Sequence, residues 1–280
     1  MLPLSGKLYV VGTPIGNLGD LSPRAADVLS TVDFIAAEDT RVTLKLLNHL
    51  AVKKPMGSYH EHNKVTRHDV IADRIEKGES CALVTDAGMP AISDPGEDLV
   101  RYILDRGIEV ESVPGPSALI TALAISGMPS GRFCFEGFLS VNKPSRREHL
   151  VSLKHERRTL IFYEAPHKLA AALRDMADTF GDRNIALVKE LTKLHESVER
   201  TTLFSAAAKY ADGSAKGEYV IIIEGEAEKT ESSEMPLFEA VAAAKELMDG
   251  GMPASAAAKE AAALSGRKKN EIYKELVKQQ

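Results

Sequence analysis

The chain has 280 residues, 35 Lys and Arg against 40 Asp and Glu, 44% apolar residues, two cysteines and no tryptophan. That length suits about two domains and burial of roughly 70% of the unfolded surface, and an ordinary apolar fraction with small net charge excludes a disordered chain. Cys81 and Cys134 are too few and too far apart for a disulfide framework or a zinc set, no apolar run approaches the roughly 18 residues of a membrane span, and no export signal opens the sequence, so a reducing, cytoplasmic setting without membrane attachment is expected.

In chain order, Leu8-Tyr9-Val10-Val11 reads as a first strand. Ser22 and Pro23 then stand as N-cap and first residue of a helix running to Ser30. Phe34–Ala37 is a second strand, Val65, His68, Ile71, Ala72 and Ile75 keep helical spacing up to Gly78, and Cys81–Thr85 is a third strand. Asp94-Pro95 is expected to open a helix carrying Val100, Ile103 and Leu104, closed by Gly107, and Ile108–Val113 is a further strand. Short runs apolar on both faces, alternating with helices, indicate a parallel α/β domain over residues 1–116.

After Pro114-Gly115-Pro116, a helix over Ala118–Ser126 and strands near Arg132–Phe138, Thr159–Tyr163, Ile185–Lys189 and Tyr219–Glu224 have more polar neighbours, which indicates a second, mixed α/β domain over residues 117–225. Residues 226–236 begin with a charged stretch and read as a linker. The tail, 237–280, holds three predicted helices, Leu237–Met248, Ala254–Leu264 and Lys268–Val277, with Gly266 in the last turn, a helix-turn-helix-like unit.

Three loops follow strands of the first domain: Gly12–Asp20, Asp86–Gly96 and Pro114–Ala118. Strand carboxyl ends are where open α/β sheets bind ligands, and the third loop presents backbone amides at a helix start. The first loop has neither the spacing of a dinucleotide fingerprint nor the Lys-Ser/Thr of a Walker A loop.

On Gly-Thr-Pro-Ile-Gly-Asn-Leu-Gly-Asp-Leu-Ser-Pro-Arg-Ala (12–25), Ala-Glu-Asp-Thr-Arg (37–41), the Asp86–Gly96 loop, Pro114–Ala118, Phe-Glu-Gly-Phe-Leu (135–139), Phe-Tyr-Glu-Ala-Pro-His (162–167) and Lys-Glu-Leu-Thr-Lys-Leu-His-Glu (189–196), the sequence resembles the bacterial ribosomal small-subunit RNA ribose 2′-O-methyltransferases that act on cytidine 1402. These belong to the tetrapyrrole methylase-like superfamily. The resemblance implies two α/β domains of the tetrapyrrole methylase type with the cofactor cleft between them, a small helical C-terminal domain, S-adenosylmethionine as methyl donor, 16S ribosomal RNA or the small ribosomal subunit as partner, and a homodimer. By the same similarity Pro14, Asp86, Ala87, Gly88, Met89, Ile92, Ser117 and Ala118 line the cofactor pocket, with Phe162 and Leu187 entering from the second domain.

A ribose hydroxyl must lose a proton as it takes a methyl group. Asp39, Glu136, Glu164 and Glu190 are candidates for the base, Lys189 for lowering the hydroxyl pKa, and Arg41 for holding a flanking phosphate. The segment 143–158 carries six Lys and Arg against two Glu, so Lys143, Arg146 and Arg147 are expected at the RNA surface together with Lys268 and Lys269 of the tail. Three other readings compete: a metal-dependent hydrolase using His60-Glu61-His62 with Asp39, Asp86 and Asp94, a methyltransferase of this fold acting on a tetrapyrrole or other small molecule, and a non-catalytic RNA-binding factor. No recognised metal signature is present, and no metal is expected.

Overall fold

The computed structural model describes residues 6–60, 64–227 and 235–278. Glu61 and His62 of the proposed chelate, and residues 228–234 of the expected linker, lie outside the described residues. The chain divides into two compact units, Met1–Glu226 and Ala227–Gln280.

The larger unit begins with strands β1 (Leu8–Val11), β2 (Phe34–Ala37), β3 (Met56–Ser58), β4 (Cys81–Val84) and β5 (Val110–Val113), all parallel in the order β3-β2-β4-β1-β5. Helices α1 (Pro23–Thr31), α2 (Thr40–His49), α3 (Lys64–Glu76) and α4 (Glu97–Asp105) connect them. Alternate strand residues serve opposite layers. Tyr9, Val11, Ile35, Ala37, Ala82 and Val84 pack with Ala25, Leu29, Leu46 and Leu47, whereas Leu8, Phe34, Ala36, Cys81 and Leu83 pack with Ile71, Ala72, Ile75, Leu99 and Ile103. This two-sided burial is why the strands read as continuous apolar runs.

Two boundaries differ from expectation. The Gly107 N–H donates to the Leu104 carbonyl and the Ile108 N–H to Ile103, so Ile108 belongs to the closure of α4 and β5 starts at Val110. At its other end α4 starts at Glu97 with Gly96 as N-cap, at φ +142, and Asp94 therefore stays in the loop at the sheet's carboxyl edge.

The second sheet has the order β6-β7-β10-β8-β9. Its elements in sequence are α5 (Ala118–Ser126), β6 (Phe133–Phe138), α6 (Lys143–Ser152), β7 (Thr159–Glu164), α7 (Pro166–Phe180), β8 (Asn184–Lys189), β9 (Ser197–Thr202), α8 (Leu203–Lys209) and β10 (Tyr219–Ile223). β6 and β7 are parallel, and the other pairings are antiparallel. Leu160, Phe162, Ile185, Leu187 and Ile221 face a layer built on Leu150, Leu169, Leu173, Met176 and Leu203; Ile161, Ala186, Val188, Val220 and Ile222 face Leu119, Ala122 and Leu123 of α5. The chain thus leaves the first sheet through α5, a helix with apolar residues on nearly every side, straight into the core of the second.

The smaller unit contains α9 (Leu237–Asp249), α10 (Ala254–Ser265) and α11 (Lys269–Lys278). They close on Ala240, Val241, Ala244, Ala257, Ala258, Ala261, Ile272 and Leu276, and Gly266 ends α10 in the left-handed conformation.

Candidate active site

The first three loops are stitched together at the carboxyl edge of the first sheet. The Thr13 N–H donates to the Gly88 carbonyl at 2.9 Å, the Gly88 N–H returns to Thr13 at 3.1 Å, and the buried Thr13 hydroxyl donates to the Thr85 carbonyl at 3.1 Å. Gly12 and Gly115 meet backbone to backbone: a Cβ on Gly12 would stand 2.7 Å from Gly115 Cα, which only two glycines permit. Across the gap lie the strand ends of the second sheet, and the two halves of the larger unit enclose a cavity of about 420 Å³. That volume accepts a small organic cofactor.

One wall of the cavity is acidic. Glu38, Asp86 and Asp94 line it. The Asp86 N–H donates to Glu38 Oε2 at 3.2 Å and the Asp39 N–H to Asp86 Oδ1 at 3.1 Å, which ties the ends of β2 and β4 together. Desolvation raises the pKa of all three carboxyls, and repulsion from neighbouring carboxylates adds to it, from Asp86 and Asp39 at Glu38 and from Asp39 at Asp86; Asp94 is pushed up to about 6 by burial, then by Glu38 and Asp86. The facing wall is largely apolar, with Val188, Leu191 and Val220 joined by Phe138 and Tyr163. Tyr163 accepts the Leu119 N–H at the start of α5 at 3.0 Å, and burial raises its pKa to about 12. Glu164 also lines the cavity, and burial raises its carboxyl too. Among the described residues no group of three His, Cys, Asp or Glu side chains is arranged to hold a metal ion.

Comparison with known proteins bears directly on such a cavity. The profile of the family described as Tetrapyrrole (Corrin/Porphyrin) Methylases matches residues 7–207, and that of the RsmI C-terminal HTH domain matches residues 234–280. The chain belongs to the tetrapyrrole methylase family. It is a methyltransferase. The protein named ribosomal RNA small subunit methyltransferase I from Xylella fastidiosa (strain Temecula1) is 48% identical over 271 residues, 96% of this chain and 98% of that protein. Its namesake from Synechocystis sp. is 49% identical over 221 residues, 79% of each chain. A solved structure of uroporphyrin-III C-methyl transferase from Thermus thermophilus, complexed with S-adenyl homocysteine, is 20% identical and covers 79% of this chain and 98% of its own, with a TM-score of 0.54. That last likeness speaks for the fold.

In this methylase Asp86, Ala87, Gly88, Met89, Ile92, Ser117 and Ala118 line the cavity. Pro14 is not among the lining residues, while its neighbour Ile15 is. Phe162 and Leu187 are corrected by one residue: both are buried against the helical layer, and the alternation of the strands hands the cavity side to Tyr163 and Val188. Asp39 caps α2 by accepting the Arg41 N–H and pairs with the Arg41 guanidinium at 2.6 Å, which holds its pKa at about 2; that leaves a poor base and an arginine already engaged. Glu190, at φ +51, accepts the Glu218 N–H at 2.9 Å and pairs with Lys193 at 3.1 Å, which lowers its pKa and gives it a part in holding strand ends together. The Glu136 carboxylate accepts from His149 Nε2 at 2.9 Å outside the cavity lining, and Lys189 ends β8, half-buried.

The basic residues divide as well. Arg146 is only 9% exposed; its guanidinium pairs with Asp175 at 2.7 Å and donates to the Ser140 carbonyl at 3.1 Å, so it is a core ion pair and not an RNA contact. Arg147 leans on Asp175 and Asp178 at 3.4 and 3.7 Å with half its side chain exposed. Lys143, Lys268 and Lys269 are exposed, the last donating to Ser255 at 3.0 Å. Sequence reasoning missed Glu38, Ile15, Tyr163 and Glu218, and placed Asp94 in the site only for the hydrolase. Glu38 and Tyr163 lie inside the motifs 37–41 and 162–167, each next to the residue chosen from them, Asp39 and Phe162, and that was the available signal.

Proposed function

We propose that this chain transfers a methyl group from S-adenosylmethionine to the ribose 2′-hydroxyl of cytidine 1402 in 16S ribosomal RNA, working as a cytoplasmic homodimer. The observation that carries the reading is a cofactor-sized cavity with three clustered carboxylates, in a chain alignable over nearly its whole length with methyltransferases named for small-subunit ribosomal RNA.

The residues present fit the donor. A sulfonium with an amino-acid ammonium is cationic, and Glu38, Asp86 and Asp94 supply the opposite field in a partly desolvated wall where it is strongest. Gly88, at φ +85 and flanked by Ile15 and Pro116, leaves a cradle without a side chain, and Met89, Leu191 and Val220 give apolar surface for a flat ring. When bound, the donor supplies a methyl carbon activated by its positive sulfur.

The chain's own work is then to hold the hydroxyl in line with that carbon, keep water out, and take a proton. Holding reacting atoms collinear at near-attack distance supplies much of the acceleration. Asp94 accepts the proton: it lines the cavity, with its carboxyl raised by burial, whereas Asp39 lies outside the lining and is paired with Arg41. RNA is drawn by local charge at Lys143, Arg147 and the tail lysines, although the net charge is −5. The tail, matched by a helix-turn-helix profile, favours RNA over a small tetrapyrrole as the acceptor.

The test is to map ribose methylation in small-subunit RNA from cells with and without this protein. Loss of the single mark at cytidine 1402 supports the reading, and an unchanged methylation map refutes it.

A further inference from the structure

Strand β6 carries a bulge that reaims one aromatic ring. Its register against β7 runs Phe133 to Thr159, Cys134 to Leu160 and Phe135 to Ile161, then passes over Glu136 and resumes with Gly137 opposite Phe162 and Phe138 opposite Tyr163. Cross-strand partners share a face, and one extra residue inverts the alternation beyond it. In a regular strand Phe138 would stand opposite Glu164, on the helix-covered face of Leu160 and Phe162. The bulge moves it to the face of Ile161 and Tyr163, towards the cavity, and leaves Leu139 to be buried in the helical layer. Gly137 makes the shift possible: it has φ +64, and a Cβ there would stand 3.1 Å from Ser93 Oγ.

The consequence is a phenylalanine ring 55% exposed that lines the cavity. It meets Tyr163 edge-on, with centroids 5.5 Å apart at 62°, and Tyr163 is itself fixed through its hydroxyl on α5. Of the aromatic residues lining the cavity, Tyr219 is buried and Tyr163 half-buried, so Phe138 is the one that offers open ring surface. Ile92, also exposed in the cavity wall, stands beside Ser93, the residue that abuts the bulge.

We propose that Phe138 is the platform on which the base of the target nucleotide stacks while its ribose is methylated, with Phe138 acting as a positioning residue. This rests on the proposed RNA methyl transfer. A base is joined to the ribose whose hydroxyl enters the cavity, so it must come to rest within one nucleotide's reach of the reacting carbon, at the cavity mouth. A nucleotide drawn out of an RNA strand loses its stacking partners, and an exposed aromatic face replaces them without demanding a hydrogen bond. An unstacked base of a single-stranded RNA segment is therefore the substrate feature this ring recognises.

The test compares the full-length wild type with F138A, F138L and F138Y, measuring initial rates of tritium transfer from labelled S-adenosylmethionine to small ribosomal subunits over a range of RNA concentrations. Base stacking on a protein ring corresponds to about a 5- to 150-fold effect, so F138A should lower kcat/KM for RNA by that factor, F138Y should restore it, and F138L should not. The affinity for S-adenosylmethionine, read by calorimetry, should stay within about twofold of wild type for every variant. Rates for F138A equal to wild type overturn the proposal, as does equal rescue by Leu and Tyr, which would mean that only bulk matters. Loss of donor affinity in F138A assigns the ring to the donor, and a change of oligomeric state by sedimentation assigns it to a protein interface; either result also overturns it. A wild-type protein that labels no RNA at all refutes the parent reading and this one with it.

Discussion

Replacing Asp94 by Asn removes a charge that the fold tolerates at a cost, and the sign of its effect on stability follows from the site. Burial, with Glu38 and Asp86 nearby, raises the Asp94 pKa from an ordinary 3.8 to about 6. Two units at about 1.4 kcal/mol each set a ceiling of about 3 kcal/mol on the penalty for holding Asp94 ionised. The cavity is open to water on one side, and screening reduces this to about 1–2 kcal/mol. Because the folded pKa lies above the unfolded one, the penalty is absent below about pH 3, where Asp94 is protonated in both states, grows between about pH 3 and 6, and is complete above that range. D94N, which keeps the shape without the charge, should therefore unfold about 2–8 °C higher than wild type at pH 8, at the usual scaling for a chain of this size, and by only about a third as much at pH 4.5. Thermal unfolding followed by circular dichroism at the two pH values is the assay. A gain independent of pH, or a D94N protein less stable than wild type at pH 8, would refute the electrostatic argument. The same substitution should cost about 10²- to 10⁴-fold in kcat and abolish the rise in rate through pH 6.

Other substitutions separate packing from function. G115A places a methyl group 2.8 Å from the Gly12 backbone, so it should lose about 1–3 kcal/mol in urea titration and weaken donor binding by parting the first loop from the third. S117W fills the lined cavity, and calorimetry should find no S-adenosylmethionine binding; unchanged affinity would place the donor elsewhere. R146A leaves Asp175 buried without its main partner and should cost about 3–5 kcal/mol of stability, measured by denaturant unfolding. Replacing Lys268 and Lys269 by Ala should do the reverse, leaving the melting temperature alone while flattening the salt dependence of RNA affinity by about one and a half to two units of slope.

The parallel half was legible because its strands are buried on both faces and its helices begin and end on residues with a single purpose, such as Ser22 with Pro23 at one end and Gly107 at the other. Strands β3 and β9 were not, since both are edge strands with half-buried, mixed residues and no periodic signal. The first-sheet side of the site came from loop motifs. The second-sheet side was displaced by one residue at Phe162 and Leu187, because a motif identifies a segment and only the register tells which of two neighbours faces the ligand. Arg146 failed for a related reason: counting charge over 143–158 cannot see Asp175, which comes from the next helix and turns a surface cation into a buried one.

Strain and charge collect at the same place in this fold. Among the described residues five non-glycine positions have left-handed φ, and four of them, Ala91, Ser93, Glu190 and Thr192, sit in loops bordering the cavity. The repelling carboxylates and the β6 bulge are there too. Each feature costs stability, and none is required by the two sheets, whose cores close without them. They share an effect instead: each turns a backbone or a side chain away from the regular pattern and towards one volume. Had β6 kept its alternation, Phe138 would face the helical layer and the cavity would lose its exposed ring, so the irregularity at Gly137 is better explained by what it presents than by what it packs.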